Sequence, residues 1–161
     1  MSYTTAERRT LEPVGRAVER LAPSQPERRD LFLCHAWDDR CGAAKALHDL
    51  LESCGVTVWF SEKDVALGTS LIREIDRGLA KCRAGIVLVT PALLDSLDAG
   101  GVADKELSAL LATDRLIPVA HGTTFEALRE VSPLLAARSG LSTQDSSLEA
   151  VATKVADTVR I

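Results

Sequence analysis

Two polar loops hold most of the side chains in this chain that could bind or transform a ligand. One, His35-Ala36-Trp37-Asp38-Asp39-Arg40, follows the apolar run Leu31 to Cys34. The other lies within Val56 to Leu71, VTVWFSEKDVALGTSL, where an apolar strand pattern drops into a charged loop that closes on a helix start. Trp37 can stack on a flat ring, or simply act as a half-exposed hydrophobic lid. Arg40, near a helix N-terminus, and Lys63 bring donors and positive charge suited to an anion, and both also fit ordinary solvated surface charge. Other chemistries are poorly served. Gly68-Thr69-Ser70 lacks the lysine and the spacing of a phosphate-binding P-loop and suits a turn with a helix cap. Ser61 has no recognisable triad partner. His48 and His121 have no carboxylate or cysteine at ligand spacing, and Cys34, Cys41, Cys54 and Cys82 form no C-x-x-C pair. No metal site is therefore expected, and the cysteines are expected to be reduced, small core residues.

Holding such loops in place requires a core, and 161 residues with 46% hydrophobic content can bury one of substantial size. A single domain with a terminal extension is expected. The net charge of -4 argues against nucleic acid as a main partner, because phosphate neutralisation needs clustered Lys and Arg. No window reaches ~18 consecutive apolar residues, and the N-terminal stretch lacks the apolar centre of a signal peptide. The chain is expected to be cytoplasmic, with no membrane partner.

Helical spacing of Leu11, Val14, Val18 and Leu21 predicts an amphipathic helix over residues 6–22, broken by Pro23 to Pro26. That helix is expected to cover the chain's own core or a partner chain. Leu31 to Cys34 reads as a first strand, followed by a helix with Ala43, Leu47, Leu50, Leu51 and Cys54 on one face and Gly55 at its end. Val56 to Phe60 is a second strand. Thr69 or Ser70 then caps a helix with Ile72, Ile75, Leu79 and Cys82 in one stripe. Ile86 to Val89 is a third strand with no polar alternation, as expected for burial on both faces of a parallel sheet. Pro91 allows a helix start, Asp95 to Gly101 is expected to interrupt, and a helix runs from Val102 to Ala112. Leu116 to Ala120 is a fourth strand whose Pro118 points to an edge or a strand end. Leu148 to Val159 closes the chain as a helix. The alternation predicts an α/β fold, a flavodoxin-like doubly wound parallel sheet of about five strands with an N-terminal helical extension. In such sheets ligands bind beyond the carboxyl ends of the strands, here the loops after Cys34, Phe60 and Val89.

With these residues placed, the chain resembles a bacterial TIR (Toll/interleukin-1 receptor) domain. The resemblance covers about residues 30–120. It rests on Asp30 to His35, on Trp59, Phe60, Ser61 and Glu62 leading through Gly68 to Leu71 as the BB loop, on Ile75 to Leu79, on Ile86 to Thr90 with Pro91, and on Lys105, Glu106 and Leu107. It implies residues 1–29 as an N-terminal helix and linker and residues 30–161 as the TIR domain.

The resemblance also implies an activity. Enzymatic TIR domains break down NAD, and Glu106 matches the family's catalytic glutamate. On a helical wheel Glu106 borders the apolar stripe Ala103, Leu107, Leu110 and Leu111, so it can face a cleft and be partly desolvated, or remain a solvated glutamate beside a cation. His35 and Ala36 correspond to positions lining the NAD pocket, although His35 also suits a strand-end residue satisfied by backbone. Trp37, Arg40, Phe60, Lys63 and Val102 complete the expected substrate contacts. Val102 stands where many enzymatic members carry tryptophan, which removes a ring from the face shared at i and i+4 and bears on cyclisation more than on hydrolysis. The implied function is NAD+ glycohydrolysis, with possible closure to a cyclic ADP-ribose isomer, in antiviral defence or signalling. NAD+ is the substrate, no cofactor is implied, and the expected partners are other TIR domains through homo-oligomerisation. The alternative is a non-catalytic TIR scaffold that binds through the Ser61 to Ser70 loop. A response regulator fits less well, since no acidic pair at the first strand end is matched by a phosphoacceptor aspartate on the third.

Overall fold

A computed structural model of the chain describes residues 3, 5–21, 29–35, 39, 41–60, 80–100, 115–124, 126–127, 130, 140–144 and 146–159. Five parallel strands form its centre. They are β1 (Arg29–Cys34), β2 (Val58–Phe60), β3 (Cys82–Val89), β4 (Leu116–Ala120) and β5 (Leu141–Ser142), in the spatial order β2-β1-β3-β4-β5. This is the doubly wound order of a flavodoxin-like sheet, with the switch point between β1 and β3. Four described helices accompany the sheet: α1 (Thr5–Leu21), α2 (Ala43–Ser53), α3 (Pro91–Gly100) and α4 (Leu148–Val159). None of the described helices is long and apolar enough to cross a membrane.

The strands are buried on both faces, which is why their sequences run apolar without alternation. Leu31 and Leu33, Ala84, Ile86 and Leu88, and Ile117 and Val119 share one core with residues of α1, α2 and α4. The intervening Phe32, Cys34, Val87, Val89 and Ala120 point to the opposite face by the period of two and are buried as well. Gly55 ends α2 at φ 90°, where a side chain would be strained.

Polar side chains tie the amino ends of the strands. The Asp30 carboxylate accepts from the Thr57 backbone N–H at 2.9 Å and from Arg83 Nη1 at 2.8 Å. Arg115 donates to the carbonyls of Arg83 and Cys82 at 2.9 and 2.6 Å. These bonds join β1, β2 and β3 to the turn that enters β4.

The N-terminal helix covers the chain's own core. Leu11, Val14 and Val18 are buried, each worth roughly 1.5–3 kcal/mol relative to exposure. A buried ion pair fastens it to α4: Lys154 Nζ donates to Glu7 Oε2 at 2.8 Å, to Oε1 at 3.0 Å and to Ser146 Oγ at 3.1 Å. The ring of Tyr3 lies 5.5 Å from the same ammonium.

Several local expectations are corrected. Cys82 opens β3 instead of closing a helical stripe, and β3 begins four residues before Ile86. Arg83 and Gly85 break the apolar run there, but Arg83 is neutralised by Asp30 and Gly85 makes room for Phe32. Asp95 to Gly100 continues α3 instead of interrupting, since Thr90 and Pro91 start the helix firmly. Cys41 is exposed, whereas Cys34 and Cys82 are buried; none of the four cysteines is in a disulfide. Pro118 lies in an inner strand. Because the His121 N–H reaches Val89 on β3, alternation turns the Pro118 nitrogen toward β5, whose ladder starts only at the pair Val119 and Leu141. Among the described residues, no ladder pair calls on the missing donor. The second strand is shorter than expected, starting at Val58. The helices expected at Ser70 to Cys82 and Val102 to Ala112 fall largely outside the described residues.

Candidate active site

The carboxyl ends of β1, β3 and β4 meet along one edge of the sheet, because all three strands are parallel and in register there. His35 ends β1 and is buried, at 2% exposure. Cys34 beside it pairs with Val87 of β3. Phe60 is the last residue of β2, with its backbone opposite Leu33. Thus His35 and Phe60 leave adjacent strands at the same end. Ala36, Trp37, Arg40, Lys63, Val102 and Glu106 lie outside the described residues.

Residues not singled out from sequence organise this edge. Thr90, buried at 2% exposure, follows β3 directly. Its hydroxyl accepts from the Leu93 N–H at 3.2 Å and its carbonyl from the Leu94 N–H at 3.0 Å, so it caps α3, a role worth about 0.5–2 kcal/mol. The hydroxyl's own proton goes to Asp39 Oδ2 at 2.5 Å. Asp39 belongs to the loop after β1, and its carbonyl accepts from the Gly42 N–H at 3.0 Å just before α2. The loops after β1 and β3 are therefore joined through one threonine.

A second join lies one strand further on. The His121 N–H donates to Val89 O at 2.8 Å, and His121 Nδ1 is 3.0 Å from Thr143 Oγ1. Thr143 Oγ1 also lies 3.4 Å from Ala120 O, so the side chain bridges the end of β4 and the His121 ring. By contrast, His48 stays with its own helix. It bonds Asp49 at 3.0 Å, and this bond first, with Lys45 second, holds the Asp49 carboxyl below its ordinary value.

Pro91 alone pointed to the start of α3; a threonine just before it is a cap signal, but it carries no mark of the bond to Asp39. That bond spans 51 positions and the contact of His121 with Thr143 spans 22, so neither had a local signature.

Comparison with known proteins adds family evidence to this geometry. Residues 31–152 match the model of the TIR domain family. The NAD(+) hydrolase TcpA of Theionarchaea archaeon is 35% identical over 120 residues, which cover 71% of this chain and 35% of that protein. The NAD(+) hydrolase PdTIR of Paracoccus denitrificans is 29% identical over 82% of this chain and 44% of its own length. The 2' cyclic ADP-D-ribose synthase AbTIR of Acinetobacter baumannii is 30% identical over 84% of this chain and 51% of its own length. The chain thus aligns with about a third to a half of the length of these relatives. With a parallel sheet in the order β2-β1-β3-β4-β5 and a family match that spans most of its length, this chain belongs to the TIR domain family.

Proposed function

We propose that this chain is an NAD+ glycohydrolase, with residues 30–161 as the TIR domain and residues 1–29 as its N-terminal helix and linker. The observation that carries this reading is its similarity to TIR proteins named as NAD(+) hydrolases and as a 2' cyclic ADP-D-ribose synthase. The adjacent carboxyl ends of β1 and β3 support it, being the place where a doubly wound sheet takes its ligand.

In this reading NAD+ is the substrate and no further cofactor takes part. The bond between ribose C1′ and the nicotinamide nitrogen breaks, and its electron pair returns to the ring. The leaving group departs neutral from a cationic pyridinium, so the general acid required for ordinary glycosides is unnecessary. One oriented carboxylate is then sufficient to stabilise the oxocarbenium-like ribose and hold its hydroxyls, and Glu106 is assigned that role. Water adding at C1′ and losing a proton gives ADP-ribose. An acceptor within the same molecule gives a cyclic isomer instead. His35, Ala36, Trp37, Arg40, Phe60, Lys63 and Val102 are assigned to the substrate, with Arg40 and Lys63 toward the pyrophosphate.

The test is incubation with NAD+ at high protein concentration, with chromatographic analysis of products, beside Glu106→Gln. The wild-type chain is expected to release nicotinamide, and the variant to lose at least about a hundredfold in rate, as for other groups that act on transition-state charge. Equal turnover by the variant rejects the role of Glu106. No turnover by either protein favours a binding scaffold.

A further inference from the structure

Asp39 is held from two directions. Its carbonyl accepts from Gly42, whose own carbonyl accepts from Ala46 at the head of α2, both at 3.0 Å. Its carboxylate takes the only proton of the Thr90 hydroxyl, and that oxygen accepts from Leu93 at the head of α3. A continuous chain of bonds therefore runs from α2 through Asp39 and Thr90 to α3, across the switch point between β1 and β3. Thr90 is enclosed, so its hydroxyl has no competing water to turn toward. Ala36, Trp37 and Arg40 lie in the same short loop as Asp39.

We propose that Asp39 and Thr90 are positioning residues for the substrate: their hydrogen bond ties the loop after β1 to the head of α3 at the carboxyl end of the sheet, where a doubly wound sheet takes its ligand. This rests on the NAD+ glycohydrolase reading above. Neither side chain is assigned to the reacting bond. The effect of the tie is on how well the ground-state nucleotide is gripped, and it appears in KM more than in kcat.

The experiment is steady-state kinetics on NAD+ for Asp39→Ala, Thr90→Val, the double variant and Thr90→Ser, with urea unfolding measured on each. Asp39→Ala and Thr90→Val are each expected to raise KM about tenfold, with kcat within about twofold, as for loss of ground-state positioning. The double variant should be no worse than the worse single one, because both remove the same bond. Thr90→Ser keeps the hydroxyl and should restore the wild-type KM. Asp39→Ala leaves the cap on α3 intact, so it decides the matter if Thr90→Val does not fold. Wild-type KM in folded Asp39→Ala, a loss confined to kcat, or effects that multiply in the double variant would each overturn the proposal while leaving the glycohydrolase reading in place. A wild-type chain that consumes no NAD+ at any protein concentration overturns that reading, and this proposal with it.

Discussion

Gly85 faces Phe32 across the ladder between β1 and β3, and a Cβ built on Gly85 would come within 2.2 Å of Phe32 Cε1, a severe clash. Gly85→Ala should therefore destabilise the fold by ~1–3 kcal/mol or more through overpacking, seen as a lower urea midpoint at unchanged slope. Adding Phe32→Leu should recover part of that loss, and strict additivity of the two changes would refute a direct clash. Val102→Trp tests a different residue: under the proposed activity it should shift products toward a cyclic isomer, and an unchanged ratio would show that the indole does not shape closure. At this scale the sequence was informative where a residue obeys local rules. Gly55 ended its helix and Pro91 began one, both by backbone conformation alone. Asp39, Arg83 and Thr90 owe their roles to partners more than 50 positions away, which no local pattern encodes.

Among the elements, α1 depends on the Glu7 and Lys154 pair, both almost fully enclosed. Glu7→Ala leaves a buried ammonium without its carboxylate and should cost about 3–5 kcal/mol, whereas replacing Glu7 by Leu and Lys154 by Met together should restore most of it. Tyr3, the chain's only tyrosine, reports on the same junction. Desolvation, and then Asp157, raise its pKa above the ordinary value of 10.0. A raised value favours the neutral phenol in the folded state, so its contribution is complete below about pH 10 and is lost as pH rises through the folded-state value. Phenolate absorbance should thus titrate later in the native protein than in urea, and Tyr3→Phe should remove that part of the alkaline loss of stability. The stripes of α1, α2 and α4 were visible in sequence because each packs one face on the core. The start of β3 was not, because its first residues hold Arg83 and Gly85, whose partners make an irregular pattern tolerable.

For the molecule as a whole, a doubly wound parallel sheet followed from the alternation of strands and helices, since right-handed crossovers leave few ways to wind one, while its strand order is read from the structure. The candidate catalytic loop sequences were legible only as a family pattern, and Glu106 carries no local mark that separates it from a solvated helix glutamate. Partnership between TIR domains is the remaining proposal at this scale. If adjoining copies complete the site, turnover per mole should rise steeply with protein concentration, and a flat profile across a wide dilution series would reject assembly as a requirement. The bond from Lys154 to Glu7 joins positions 147 apart. During synthesis α1 emerges well ahead of its covering partners β3, β4, β5 and α4. At ~5–20 residues per second, its apolar face waits on the order of ten seconds before it can be closed in. A helix that completes the mature core is thus, for a nascent chain, an exposed adhesive surface that chaperones would be expected to bind.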